Sequence, residues 1–318
     1  MNLLITGANG FMGKNLCATL SQGNDTLYRI DTDASEADLL HATQEADFVF
    51  HLAGVNRPVD EAEFQRGNAD FTVRLLTLLE QGKKPPVLLS GSTQATLDNP
   101  YGISKRAAED AVRRYGARTG APVYLYRLPN AFGKWSKPNY NSAVATFCYN
   151  LSRGLPITVS NPARVITLVY IDDIIAEFLR AKAGQAQPDG EGFCHVLPEH
   201  NVTLGKMVDL LAGFRDGRAL QELPDTSEPL VKKLFATYQS FLPEEGFSVM
   251  PEVHADARGS FTELLHMGGY GQISVNISKP GIVKGEHWHH TKHGREELRI
   301  GCGGGIFAAR LAGEAILD

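Results

Sequence analysis

The chain has 318 residues, 43% of them hydrophobic and 21% charged, with a formal net charge of −5. That length has room for two domains and the composition is that of an ordinary globular protein, while the acidic balance excludes a generally basic surface for nucleic acid or an anionic membrane. No apolar run reaches membrane-spanning length, and Cys17, Cys148, Cys194 and Cys302 are scattered without Cys-x-x-Cys spacing, which suits buried thiols in a reducing compartment.

In chain order, Asn2 to Thr6 reads as a buried strand that opens on Leu3-Leu4-Ile5 rather than on a secretion signal, so the cytoplasm is expected. Gly7-Ala8-Asn9-Gly10-Phe11-Met12-Gly13 follows, and then a helical pattern through Leu16 and Leu20. Strand, glycine turn and helix together suit a dinucleotide: the glycines let the backbone approach a pyrophosphate, and the helix N-terminus offers free N–H groups. A second strand, Thr26 to Ile30, ends at Asp31, where an acidic side chain meets an adenosine ribose. Arg29 beside it would suit a 2′-phosphate, so NADPH and NADH are both open. Asp38 and Leu39 are further cofactor candidates. The strand from Phe48 ends in Leu52-Ala53-Gly54, which lets a cofactor lie against the backbone, and His51 within it reads as a hydrogen-bonded structural residue.

Asn68 precedes the amphipathic run Phe71, Leu75, Leu76, Leu79, and Pro85-Pro86 breaks the chain before the strand that delivers Ser90-Gly91-Ser92. Its C-terminal end faces the ligand crevice of an open α/β sheet. If Tyr101 opens the next helix, Lys105 lies one turn on, so phenol and ammonium share a face. Ser92 then holds a carbonyl oxygen, Tyr101 donates a proton, and the Lys105 charge favours the phenolate. Residues 134–143 mix Lys134, Trp135, Lys137, Asn139, Tyr140 and Asn141, a set of cations, amides and aromatics that suits a sugar diphosphate.

These residues resemble the extended short-chain dehydrogenase/reductases that act on nucleotide sugars. Gly7-x-x-Gly10-x-x-Gly13, the His51 to Gly54 strand end, Asn68, Ser92 and Tyr101-x-x-x-Lys105 match in order, as do Arg127-Leu128-Pro129-Asn130-Ala131-Phe132-Gly133 and Tyr170-Ile171-Asp172-Asp173. The resemblance implies a Rossmann-like doubly wound parallel sheet over residues 1–243, a nicotinamide cofactor held by the glycine loop with Leu52, Ala53, Gly54, Asn68, Tyr101 and Lys105, and a homodimer. It places Asn130 at the substrate site. The sequence departs from many relatives in having no arginine immediately before Thr167, and Arg164 is the expected replacement.

From Phe247 short strand-like runs with glycine turns dominate, and Asp256-x-Arg258-Gly259-x-Phe261-x-Glu263 with Lys284-Gly285-x-His287 is similar to cupin-fold epimerases of 4-keto sugar nucleotides. His287-x-His289 puts two imidazoles on one strand face, the start of a site for zinc or another divalent metal. The expected glutamate and later strands do not follow, so residues 244–318 are expected to be a partial cupin with an incomplete metal site and an irregular tail after about 293. A reductase followed by a cupin resembles the bifunctional reductase/3-epimerases of UDP-N-acetyl-L-fucosamine and capsule biosynthesis, which implies NADPH-dependent reduction of a C4 ketone. The same motifs also serve NAD-dependent 4-epimerases and dehydratases, and a non-catalytic dinucleotide-sensing module is the alternative of another class.

Overall fold

The structure, a computed structural model, describes residues 1–267 and 271–282. The first elements are β1 (Asn2–Thr6), α1 (Phe11–Leu20), β2 (Thr26–Ile30), α2 (Glu36–Glu45) and β3 (Phe48–His51). A short helix α3 (Ala62–Phe64) runs through a π-helical stretch (Gln65–Asp70) into α4 (Phe71–Gln81). Next come β4 (Val87–Ser92), α5 (Pro100–Thr119), β5 (Val123–Leu128), β6 (Asn130–Phe132), α6 (Ala143–Leu151), β7 (Val165–Tyr170), α7 (Ile171–Lys182), β8 (Phe193–Cys194), β9 (His200–Thr203), α8 (Leu204–Ala219) and α9 (Pro229–Gln239).

Six parallel strands form the main sheet in the order β2-β1-β3-β4-β5-β8. The chain leaves β1 to one side for β2 and returns across it to β3, so the direction of winding reverses between β1 and β3. Ligand crevices open at such a reversal, beyond the carboxyl ends of the strands. Here those ends are Gly7 after β1 and Leu52-Ala53-Gly54 after β3.

Why the strands are continuous apolar runs follows from their burial on both faces. Leu3 and Ile5 pack with Leu16 of α1 and Ile174 and Phe178 of α7, while Leu4 and Val49 pack on the other face with Leu75, Val112 and Tyr115. A second core, with Phe132, Phe147, Met207, Leu211 and Leu234, joins α6, α8 and α9 to a small sheet ordered β6-β7-β9. Cys17, Cys148 and Cys194 are buried free thiols, and Cys302 lies outside the described residues.

The C-terminal strands β10 (Val253–Asp256), β11 (Gly259–His266) and β12 (Gln272–Ser278) form a separate sheet with β11 central, and β10 pairs antiparallel to β11. Of the described residues, one compact unit holds Met1–Glu252 and those of Glu263–Ser274, and the other holds Val253–Thr262 with those from Val275. The division therefore falls later than the expected boundary at 243 and runs through β11 and β12. The expected metal ligands His287 and His289 lie outside the described residues. Among those described, no cluster of His, Cys, Asp and Glu could hold a metal ion. No helix of the described residues is long and apolar enough to cross a membrane.

Candidate active site

The glycine loop is closed by contacts that leave no room for side chains. Gly7 has φ +69°, and a Cβ on Gly13 would lie 2.1 Å from the Gly7 carbonyl oxygen and 2.7 Å from Ala8 Cα. Helix α1 begins straight after Gly10 with no side-chain cap and no acidic residue in its first turn. Its first N–H groups therefore face the crevice unneutralised, which suits a dinucleotide pyrophosphate. Asp31 braces this loop: one carboxylate oxygen accepts the Asn9 N–H at 2.7 Å and the other accepts the Thr32 N–H at 2.8 Å. Arg29 donates to Ser21 Oγ at 2.8 Å.

Helix α5 starts where a start signal is strongest. Asn99 accepts the Gly102 N–H at 2.8 Å as N-cap, and Pro100 takes the first helical position. Tyr101 and Lys105 consequently sit one turn apart, with Lys105 Nζ 5.7 Å from the Tyr101 ring centroid. Lys105 is buried against the strand ends: a Cβ on Gly54 would come within 2.6 Å of its Nζ. Asn68, also buried, ties the region together by bonding both backbone groups of Val55 and donating to Ser104 Oγ at 3.0 Å. At the end of β4, Ser92 Oγ accepts the Gln94 N–H at 3.2 Å, which leaves its proton free to turn toward Tyr101.

The electrostatics correct one expectation. Burial pushes the Tyr101 phenol above its ordinary value, the hydrogen bond with Ser92 pulls it part of the way back, and Tyr140 adds to the rise. The lysine charge is not what governs it, because the ammonium lies beside the ring and is itself desolvated. Burial pulls Lys105 down to about 8, with Glu109 opposing the shift. Tyr101 is thus a protonated donor at neutral pH. Glu109 is buried and bonded by Arg127 at 3.0 and 2.7 Å, an ion pair that keeps this carboxylate out of the cleft. His51 is the structural residue the sequence indicated: it lies between Thr6 Oγ1 at 2.7 Å and Thr72 Oγ1 at 2.8 Å, and burial drops its pKa to about 3.

A cavity of about 910 Å³ brings these parts together. Gly7, Asn9, Gly10, Phe11, Met12, Gly13, Leu52 and Gly54 line it together with Ser92, Tyr101 and Lys105 and with Asn130, Trp135, Lys137, Asn141 and Arg164. Several expected contacts are used elsewhere. Asp38 closes a capping box with Ser35 at the start of α2, and Leu39 is buried in the core, so neither lines the cavity. Lys134 pairs with Asp172, and Asn139 sits in a turn at φ +55° with its N–H on Thr146 Oγ1, so both shape the loop without lining the cavity. Lining residues that were not candidates from the sequence include Lys14, Asn56 and Gln94. Asn56 is the closest to the chemistry, with its Oδ1 accepting the Tyr101 hydroxyl at 2.9 Å. A signal for it existed, since it lies just beyond the Ala-Gly end of β3 at the carboxyl edge of the sheet.

The lining also has a charge pattern. Lys14, Lys105, Lys137 and Arg164 face the cavity, and no Asp or Glu does so among the described residues. A cleft of this kind in a chain of net charge −5 is matched to an anionic ligand.

Comparison with known proteins agrees with this geometry. Residues 3–191 match the NAD dependent epimerase/dehydratase family, and residues 254–312 match the Polysaccharide biosynthesis C-terminal domain. The chain is 42% identical to the UDP-2-acetamido-2,6-beta-L-arabino-hexul-4-ose reductase of Pseudomonas aeruginosa, over 92% of this chain and 78% of that one. A crystal structure of the capsular polysaccharide assembling protein CapF from Staphylococcus aureus superposes with a TM-score of 0.85 at 47% identity, covering 92% of this chain and 79% of that one. The UDP-glucuronic acid 4-epimerase of Bacillus cereus, at 17% identity and a TM-score of 0.62 over 76% of this chain and 99% of that one, shares the fold. On its glycine loop, its sheet and these matches, the chain belongs to the NAD dependent epimerase/dehydratase family.

Proposed function

We propose that the chain is an NADPH- or NADH-dependent reductase of the C4 ketone of a UDP-2-acetamido-2,6-dideoxy-4-keto-hexose, acting in surface polysaccharide biosynthesis. The observation that carries this reading is the Tyr101 phenol, beside Ser92 and Lys105, in a cleft whose described lining contains four cations and no carboxylate, with burial raising the phenol's pKa. The similarity to a reductase of this substrate class supports it. Ketone reduction needs one proton donor and no carboxylate base. Elimination across the sugar needs further acid–base groups, and Thr93 and Gln94 stand in the cleft where such groups would follow Ser92.

The tight Gly7–Gly13 loop and the bare backbone at Gly54 fit a dinucleotide, because each offers a surface that a side chain would block. A bound reduced nicotinamide supplies the hydride. Ser92 donates a hydrogen bond to the oxygen that becomes an alkoxide, and Tyr101 transfers its Oη proton to that oxygen. Lys105 holds positive charge beside the phenolate left behind and positions the nicotinamide ribose. Trp135, Lys137, Asn141 and Arg164 hold the nucleotide diphosphate and its sugar in the cleft. NADPH is the reductant we favour, as in biosynthetic reductions generally. Asp31 already accepts two backbone N–H groups, and direct comparison of the two reductants tests the choice.

We propose that the C-terminal domain of such enzymes inverts C3 of the same ketone before reduction, and that His287 and His289 are metal-ligand candidates in this chain. A homodimer is proposed on the resemblance, and sedimentation equilibrium tests it.

Incubation with the 4-keto sugar nucleotide and NADPH tests the reading. Wild type should consume one NADPH per sugar, and Tyr101→Phe should lose at least about 100-fold in kcat while binding NADPH as before. Equal turnover by Tyr101→Phe removes the phenol from the mechanism.

A further inference from the structure

The reacting phenol has a second polar neighbour that the family motif does not contain. Asn56 lies in the loop after β3, lines the cavity, and places its amide 2.9 Å from Tyr101 Oη. Phe64, at the end of α3, packs its ring edge against the Tyr101 ring with centroids 5.4 Å apart, so the phenol is held against this loop from the side as well. Tyr101 cannot pass its proton to a substrate oxygen without breaking its bond to the Asn56 carbonyl. Once the proton has gone, the phenolate needs donors in a partly buried site. Lys105 lies beside the ring at 5.7 Å from its centroid, and Ser92 also serves the substrate oxygen. The amide of Asn56 carries both an acceptor and an NH2 donor, and rotating it about its last side-chain bond exchanges one for the other.

We propose that Asn56 is a positioning residue for proton transfer, its carbonyl holding the Tyr101 hydroxyl in the resting enzyme and its NH2 donating to the phenolate when that proton has left. The inference rests on the reductase reading for the direction of transfer. In the step itself the Tyr101 O–H bond breaks, an O–H bond forms on the C4 alkoxide, and the negative charge stays on Tyr101 until solvent returns a proton. No further reactant is required. Asparagine is the suited side chain: aspartate has the same shape but only accepts, and it sets a like charge against the phenolate.

Asn56→Asp, Asn56→Ala and Asn56→Gln test this against wild type with NADPH and the 4-keto sugar nucleotide. Asn56→Asp and Asn56→Ala are expected to lose about 10- to 100-fold in kcat. KM for the sugar nucleotide and the affinity for NADPH should stay within about twofold, because the effect acts on the transition state and not on ground-state binding. The phenol ionises later in both variants, so the acid limb of the reverse reaction, which needs phenolate, moves to higher pH. Asn56→Gln, which keeps an amide, recovers part of the rate. Titrating Tyr101 by ultraviolet difference against Tyr101→Phe needs no substrate and should show the same upward move in Asn56→Asp. An unchanged kcat and an unchanged Tyr101 titration in Asn56→Asp overturn the proposal, as does a loss confined to KM. Absence of NADPH oxidation by wild type overturns the reductase reading, and the titration still decides the role of Asn56.

Discussion

Lys105 shows how strongly a charged side chain in the cleft is held against its own preference. Its ammonium is buried beside Gly54, and desolvation lowers its pKa from the ordinary lysine range to about 8. The folded chain therefore carries the charge at a cost below about pH 8, and the unfolded chain does not. The unfolded state binds more protons between about 8 and the ordinary lysine value near 10.5, so this group's contribution to stability rises with pH across that window. Replacing it removes the penalty, while Glu109 keeps its bidentate partner Arg127. Lys105→Met is expected to abolish turnover and raise the melting temperature at pH 7, on the order of 3 kcal/mol of stabilisation. A lower melting temperature would show that the ammonium is a net structural asset. The shared placement of Tyr101 and Lys105 was legible because a helical spacing of four residues puts two side chains on one face whatever else the fold does. The direction of the tyrosine shift was not legible, since it depends on burial produced by Phe64, the loop after β3 and residues 134–143 together.

Two glycines at the level of elements make a contrasting pair. At Gly13 a methyl group would meet backbone, the Gly7 carbonyl at 2.1 Å, in a loop wedged between β1 and α1. At Gly54 it would meet the far end of the Lys105 side chain at 2.6 Å, which can move. Gly13→Ala should therefore lose several kcal/mol of stability, on the order of 3, together with NADPH binding. Gly54→Ala should keep its melting temperature within a few degrees and lose turnover by displacing the lysine. Urea unfolding beside a kinetic assay separates the two, and equal behaviour of both variants would contradict the distinction. The glycine loop, β1 to β4 and the pairing of Tyr101 with Lys105 were readable from apolar runs and from helical spacing. The loop of residues 134–143 was readable only as composition, and composition cannot tell a side chain that faces a ligand from one that shapes a turn. Lys134 and Asn139 proved to be of the second kind because Trp135 and Asn139 adopt positive φ and fold the loop back on α6 and α7. Asp38 could have been read correctly, since Ser35-x-x-Asp38 ahead of an apolar helix face is a capping pattern.

At the scale of the whole molecule, the cleft and the chain differ in charge. An acidic chain presents Lys14, Lys105, Lys137 and Arg164 to one cleft, whose described lining contains no carboxylate. Such a field raises the local concentration of a dianionic nucleotide sugar and is screened over about 10 Å at 0.1 M salt. kcat/KM for the sugar nucleotide should fall several-fold between about 0.02 and 0.3 M salt, mainly through KM, and an unchanged KM would contradict a diphosphate seated on these cations. The strand order, with its reversal between β1 and β3, explains why residues as far apart in sequence as Gly7, Asn56, Tyr101 and Arg164 share that cleft. No local pattern encodes that convergence. Family resemblance carried it where motifs were dense, and it gave no sign of Asn56.

The most direct measurement follows the hydride itself. With NADPH deuterated at the nicotinamide C4 and a UDP-2-acetamido-2,6-dideoxy-4-keto-hexose as substrate, a reductase places the label at C4 of the product sugar, one deuterium for each NADPH oxidised. A sugar that changes configuration or loses water without label and without net NADPH consumption contradicts the reductase assignment and places the chain among the enzymes that return their hydride.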